Sequence, residues 1–295
     1  MTKQRRVVFA RINRRNRTLD MRPFAEDMRA LAESRQTSYL VPATPERPAR
    51  TWYAADMRLA TGEDFVTGIL GYSVADQKRF FDPEGWSWIK GPTEDSDAAS
   101  QDTVVPFAID LREHNRWVAF ATTGRIQPTS FRPALGQVLS TAAQNLRLLP
   151  ADWECDPVVS QHTVQEWIDQ HPFVKFLRRT VKFSNPGRDL DDVRTKMRAM
   201  RARRATEEFA AYHSQVLDVE SEAFRDKLQG LETGDTRVQM KSRQAQGVEA
   251  TFDSDTKTDD TRIDDYGKDL ERGMDFVLRA LVVYADTRPP KPLAS

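Results

Sequence analysis

The sequence predicts an α+β protein of two domains, each with a small, mostly antiparallel sheet and packed helices. Three observations carry that prediction. Strand-like runs come in neighbouring pairs with short turns between them: Thr51–Thr61 with Glu63–Ser73, Val104–Asp110 with Arg116–Thr122, and Arg237–Arg243 with Gly247–Phe252. Connections that short join antiparallel neighbours, because a parallel pair needs a long crossover. Helix-period runs stand beside these pairs, the clearest at Thr129–Leu146 and Gly267–Ala285. Finally, 295 residues suit two domains, and two prolines bracket a compositional change at Leu148–Pro157 (LLPADWECDP). The expected domains are residues 1–148 and 149–287, followed by a disordered tail at 288–295.

In chain order, Arg6–Ile12 (RVVFARI) reads as a first strand, followed by the basic turn Asn13–Asn16. A helix over about Asp20–Ser34 buries Phe24, Met28 and Leu31, with Pro23 tolerated in its first turn. The proline-rich stretch Val41–Pro48 is a connection, and Thr61-Gly62 joins the next two strands. Trp86 and Trp88 give Phe80–Thr103 apolar mass, but Glu94–Asp102 is polar and acidic. The helix over Thr129–Leu146 presents Phe131, Leu135, Val138, Leu139 and Ala142 on one face.

Beyond the boundary, Thr163–Gln170 is a short helix and Phe173–Phe183 (FVKFLRRTVKF) a strand. Ser184-Asn185-Pro186-Gly187 turns, and a helix starts near Asp189, with carboxylates at the positive end of its dipole. Leu190, Val193, Met197 and Met200 form its apolar stripe. Ala205–Leu228 continues helically, with Phe209, Tyr212, Val216, Val219 and Phe224 as core. Ala245–Gly247 turns a hairpin, Thr256–Tyr266 is an acidic loop, and the helix over Gly267–Ala285 buries Leu270, Phe276, Val277, Leu281 and Tyr284. The width of that apolar set predicts that Phe276, Leu281 and Tyr284 help form a homodimer.

Charge distribution says more than net charge, since 44 Lys and Arg balance 44 Asp and Glu. Between His171 and Arg204 there are eleven Lys or Arg against three Asp. Met1–Arg58 holds thirteen basic against six acidic residues, and Asp253–Asp275 nine acidic against four basic. A balanced chain with basic blocks can orient on a polyanion, although charge runs are also ordinary solvated surface. The expected phosphate-binding residues are Lys175, Arg178, Arg179 and Lys182 on the strand, and Arg194, Arg198 and Arg201 on the helix. Arg14 and Arg15 in the first turn, and Lys241 and Arg243 in the hairpin, complete the set. Such contacts release counterions and do not depend on base sequence.

Other chemistries find less support. His114, His162, His171 and His213 lack metal-site spacing, and Asp253, Asp255, Asp259 and Asp260 lack the EF-hand pattern. Asp189, Asp191 and Asp192 keep a metal-dependent nuclease open as an alternative, but helix-start carboxylates already have a structural reason. No Walker or dinucleotide glycine motif is present, Gly124-Arg125 before a helix suits a plain turn as well as a phosphate cradle, and Cys155 between Glu154 and Asp156 is disfavoured as a thiolate. A nucleotide-acting effector and an RNA-binding or protein-interaction module are the remaining alternatives. Neither a catalytic residue nor a metal or cofactor is expected. The lone cysteine and the absence of an apolar run of membrane-spanning length predict a cytoplasmic protein. Arg11 and Arg14 interrupt the first apolar stretch, which argues against a signal peptide.

Four features occur in one order: the strand, basic turn and helix at Phe9–Leu31; VPFAID…WVAFATTGRIQPTSF within Val104–Phe131; the basic strand and helix at Phe173–Arg204; and the hairpin Val238–Phe252 before a helix. In this pattern the chain resembles the RexA family, the soluble component of two-gene phage-exclusion systems of lambdoid prophages. The acidic stretch Glu94–Asp102 and the run Arg188–Leu228 depart from it. The resemblance implies a dimeric, two-domain protein that binds double-stranded DNA without sequence preference, with a membrane protein encoded nearby as a possible partner.

Overall fold

A computed structural model describes residues 3–14, 23–34, 37–44, 49–60, 62–74, 81–82, 84–88, 103–112, 115–148, 152–182, 191–243 and 248–288 (without the side chains of 74, 81, 82, 88, 191, 192, 194 and 198). It is an α+β fold with two large antiparallel sheets and packed helices, as the sequence predicts. The chain forms two compact units. One comprises the residues up to Cys155 together with those from Asp260 through the last helix, and the other is Asp156–Asp259.

The first unit contains β1 (Gln4–Arg14), α1 (Phe24–Glu33), β2 (Ser38–Val41), β3 (Arg50–Ala60) and β4 (Phe65–Val74). The short pair β5 (Phe81–Asp82) and β6 (Ser87–Trp88) follows, then β7 (Val104–Asp110), β8 (Trp117–Ala121) and α2 (Pro128–Asn145). β9 (Trp153–Pro157) leads to the second unit, with α3 (Gln161–Gln170), β10 (Val174–Lys182), α4 (Asp191–Ala199) and β11 (Arg204–Ala210). α5 (Glu222–Leu228), β12 (Thr236–Arg243) and β13 (Glu249–Asp253) complete that unit. β14 (Asp260–Asp264) and α6 (Leu270–Asp286) return to the first.

The first sheet runs β14-β1-β8-β7-β4-β3-β2, with β9 also paired to β1. Helices cover it on two sides, so β7 and β8 are buried along their whole length and read as unbroken apolar runs. Val8, Ala10, Ile12, Phe107, Val118 and Phe120 pack with Phe24, Met28, Phe131, Leu135 and Trp153 into the main core. Since neighbouring residues on a strand point to opposite faces, Phe9 meets α6 instead, where it stacks on Tyr284 at 3.8 Å. α2 begins with a reciprocal cap between Gln127 and Ser130 and a proline in its first turn.

Gly136 lets α2 approach β9 closely: a Cβ there would stand 2.8 Å from the Trp153 carbonyl oxygen and 3.4 Å from Glu154 Cα. Both atoms are backbone, so relief requires the helix and strand to separate. Gly136→Ala is expected to cost about 1–3 kcal/mol, the usual penalty of overpacking, despite alanine's better helix propensity. Urea unfolding measures it, and a more stable variant would show that the helix does not pack this closely.

Several sequence expectations are corrected. Residues 260–286 belong with the first sheet, because β14 pairs antiparallel with β1 from Gln4↔Asp264 to Val8↔Asp260. The expected acidic loop thus contains a strand. The expected helix over Ala205–Leu228 is largely absent: Arg204–Ala210 is the strand β11, paired to β10, and only Glu222–Leu228 is helical. Of its expected core, Phe224 is buried and Val219 packs against the core, but Phe209, Tyr212 and Val216 are exposed. Met197 of α4 is buried while Met200 is exposed, and Leu190 lies outside the described residues. In α6, Leu281 and Tyr284 are buried on the molecule's own sheet, whereas Phe276 is half-buried. The expected tail beyond Arg288 and the acidic stretch Glu94–Asp102 also lie outside the described residues.

Candidate nucleic-acid interface

β10 is the strand on which the second unit is assembled. It pairs antiparallel with β11 on one side and β12 on the other, and β13 adds to β12, giving the order β11-β10-β12-β13. Leu177, Val238, Met240 and Phe252 on one face pack against Val164, Trp167 and Ile168 of α3 and Phe224 of α5. Ser160 caps α3 by accepting from the Thr163 amide at 3.1 Å, and Ser221 does the same for Phe224 at 3.3 Å.

Period-2 alternation sends the other residues to the opposite face. There stand Phe176, Arg178, Thr180 and Lys182 of β10, with Arg204, Thr206, Glu208 and Ala210 of β11. Arg237, Gln239, Lys241 and Arg243 of β12 and Glu249, Thr251 and Asp253 of β13 continue this face. None of these residues is fully buried: Arg178, Arg204, Lys241 and Arg243 are exposed, whereas Lys182 and Arg237 are half-buried. The face carries six Lys or Arg (Arg178, Lys182, Arg204, Arg237, Lys241, Arg243) and three acids (Glu208, Glu249, Asp253).

Burial separates the cations that are held from those that can exchange partners. Asp156, fully buried, accepts from Lys182 at 3.0 Å and Arg237 at 3.3 Å, and Arg237 also reaches Asp255 at 3.2 Å. Breaking these bonds uncovers a buried carboxylate, so Lys182 and Arg237 serve the fold first. The pairs Arg178–Glu208 at 2.6 Å and Lys241–Glu249 at 3.0 Å are about half exposed on both partners. Exposed pairs are worth about 0–1 kcal/mol, which a phosphate can replace. Arg243 and Arg204 are exposed, with no ion-pair partner among the described residues.

The remaining expected residues scatter. Arg179 is fully buried on the helix-covered side, 3.5 Å from Glu207, and is corrected from phosphate ligand to internal charge. Arg14 is buried too, paired to Asp27 at 2.5 Å and lying over the Trp153 ring at 4.5 Å, which corrects its assignment likewise. Lys175 donates to the Gln215 carbonyl. Arg201 is exposed just past α4 with φ +54°, where a helix commonly closes in the left-handed region. Arg194 and Arg198 lie on α4 with side chains outside those described, and Arg15 lies outside the described residues altogether. Arg204 was legible only as part of a helix, since nothing local marks β11 as a strand.

The acidic groups serve the fold. Asp253 Oδ1 accepts from the Asp255 amide at 2.8 Å, and Asp259 Oδ1 accepts from the Ser160 amide at 2.9 Å. Among the described residues no three His, Cys, Asp or Glu are placed to hold a metal ion, and no helix is long and apolar enough to cross a membrane.

A family model described as "Domain of unknown function (DUF4747)" matches residues 89–278, well over half of the chain. The chain belongs to this family. The DUF4747 match contains the whole of β10, β11, β12 and β13, whereas β1 to β4 precede it. No curated protein and no solved structure matches the chain.

Proposed function

We propose that this chain binds double-stranded DNA through its phosphate backbone, without sequence preference, on the solvent-facing side of β11-β10-β12-β13. The observation that carries the reading is the sheet face on which the exposed Arg178, Arg204, Lys241 and Arg243 stand beside Thr180, Thr206 and Gln239. Guanidinium forks and ammonium groups supply the charge, and hydroxyls and the amide add neutral donors for phosphate oxygens. Alternate residues of β12 advance about 6.7 Å, close to the rise of two phosphates along one DNA strand. Among the described residues of these four strands Phe176 is the one aromatic on this face, and Arg178 lies over it at 5.6 Å. A single-strand platform would need several exposed rings for stacking, so a duplex backbone fits this surface better. The motif pattern shared with the RexA family supports phage exclusion as the setting in which such binding acts.

The test is the triple variant R178A/K241A/R243A, titrated with unrelated duplexes, single strands and RNA over a salt series. Affinity for all duplexes is expected to fall by similar factors. The slope of log affinity against log salt should shrink by about 0.9 for each phosphate no longer neutralised, roughly 2.7 in total. A folded variant with unchanged affinity and slope would remove this face from the function.

A further inference from the structure

β14 is the outermost strand of the first sheet, and no strand lies beyond it among the described residues. The amide of Asp265 bonds to the Lys3 carbonyl at 3.0 Å, and the register runs Arg5↔Ile263 and Val7↔Thr261. Hydrogen-bonded and non-bonded pairs alternate along an antiparallel ladder. Ile263 and Thr261 therefore turn their backbone groups to β1, while Arg262 and Asp264 turn theirs outward. Side chains alternate as well: Asp260, Arg262 and Asp264 are exposed, and Thr261 and Ile263 are half-buried on the other face. There Ile263 lines a cleft of about 500 Å³ with Phe276, Ala280 and Val283 of α6, and Val283 is 65% exposed. An edge strand with outward backbone groups beside an apolar cleft is a template for strand addition.

We infer that the occupant is a second copy of this chain, whose β14 pairs antiparallel with β14 about a two-fold axis at Ile263. Charge selects both partner and register. A two-fold antiparallel pair sets a residue opposite one on the same face, so the axis must pass through a residue. An axis at Arg262 opposes Arg262 to itself and Asp260 to Asp264, which is repulsive. An axis at Thr261 leaves Ile263, the apolar residue of the strand, away from the centre. An axis at Ile263 opposes Ile263 to its copy and sets each Arg262 against the Asp264 of the other chain. Arg262 and Asp264 are also the residues whose backbone groups face outward, so they form hydrogen-bonded pairs on both sides of the axis. The two clefts then meet, and Val283 and Phe276 flank the paired isoleucines. The interface is isologous and closed, as the commonest soluble dimers are.

Sedimentation of the full chain and three variants over the micromolar range tests this. The wild type is expected at twice the monomer mass. R262D opposes aspartates at the seam and D264R opposes arginines, so each alone should sediment as a monomer. Mixing R262D with D264R restores both opposite-charge pairs between unlike chains, and the mixture should return to dimer mass, as should the double variant R262D/D264R. A wild type that stays monomeric, single variants that remain dimeric, or a mixture that fails to reassociate would each overturn the proposal. Thermal unfolding of each variant shows that it is folded, and the mixture keeps the test decisive because it needs no further substitution.

Discussion

Phe131→Ala is expected to lower the unfolding free energy by about 3–5 kcal/mol, the range for deleting a large aromatic from a closed core. The ring is fully buried, stacked on Phe120 at 3.8 Å with 3° between planes, and meets the Phe107 edge at 6.3 Å. It comes from α2 and its partners from β8 and β7, so the damage falls where the helix is seated on the sheet. Removing it forfeits transfer free energy and leaves a cavity that a rigid sheet cannot close. Aromatic pairing adds about 0.5–1.5 kcal/mol beyond burial. Denaturant unfolding followed by fluorescence measures the change, and a decrease below about 1 kcal/mol would mean that the site refills.

The double substitution K182M/R237M should have a comparable effect in the second unit. Both cations reach Asp156, whose side chain is fully buried, at 3.0 and 3.3 Å. Methionine preserves much of the length of the stems and removes the charge, so a buried carboxylate loses two of the groups that hold it. Breaking a buried pair from one side costs about 3–5 kcal/mol, more than the partners' attraction contributes in net terms. Thermal unfolding at neutral pH reads this directly. A double variant as stable as wild type at neutral pH would place Lys182 and Arg237 among exchangeable surface charges, available to phosphate like Arg178 and Lys241.

Local signals reached much of this fold. Gly62, with φ +63°, sits between β3 and β4, where the Thr61-Gly62 turn was expected. The β7 and β8 runs, α2 with its Phe131–Ala142 face, and the β12–β13 hairpin all follow from period and turn chemistry. What was not legible depends on partners distant in sequence. Arg204–Ala210 (RATEEFA) holds two glutamates and two alanines and favours a helix, yet β10 supplies a ladder and Arg178 meets Glu208 across it. Asp260–Asp264 (DTRID) alternates faintly, and three charges in five residues hide a strand whose partner, β1, lies far upstream. At the candidate interface, charge density located β10 but could not tell its two faces apart. Arg178 and Arg179 are neighbours in sequence, and only the sheet makes one exposed and the other internal.

That late strand also bears on how the chain folds as it is made. Arg5 and Asp265 are joined by a 2.6 Å hydrogen bond across 260 positions of sequence. At about 5–20 residues per second, β1 waits on the order of 10–50 s before β14 leaves the ribosome. Throughout that interval one edge of β1 has no β14, and Phe9 and Trp117 lack the α6 ring that later packs on them. Residues 156–259, in contrast, have their whole sheet and both covering helices within one continuous segment. The inserted unit can complete itself on the nascent chain while its host is still open, so the unit that begins first is finished last. During synthesis the time for which the first sheet stays open is set by translation speed rather than by its own folding rate.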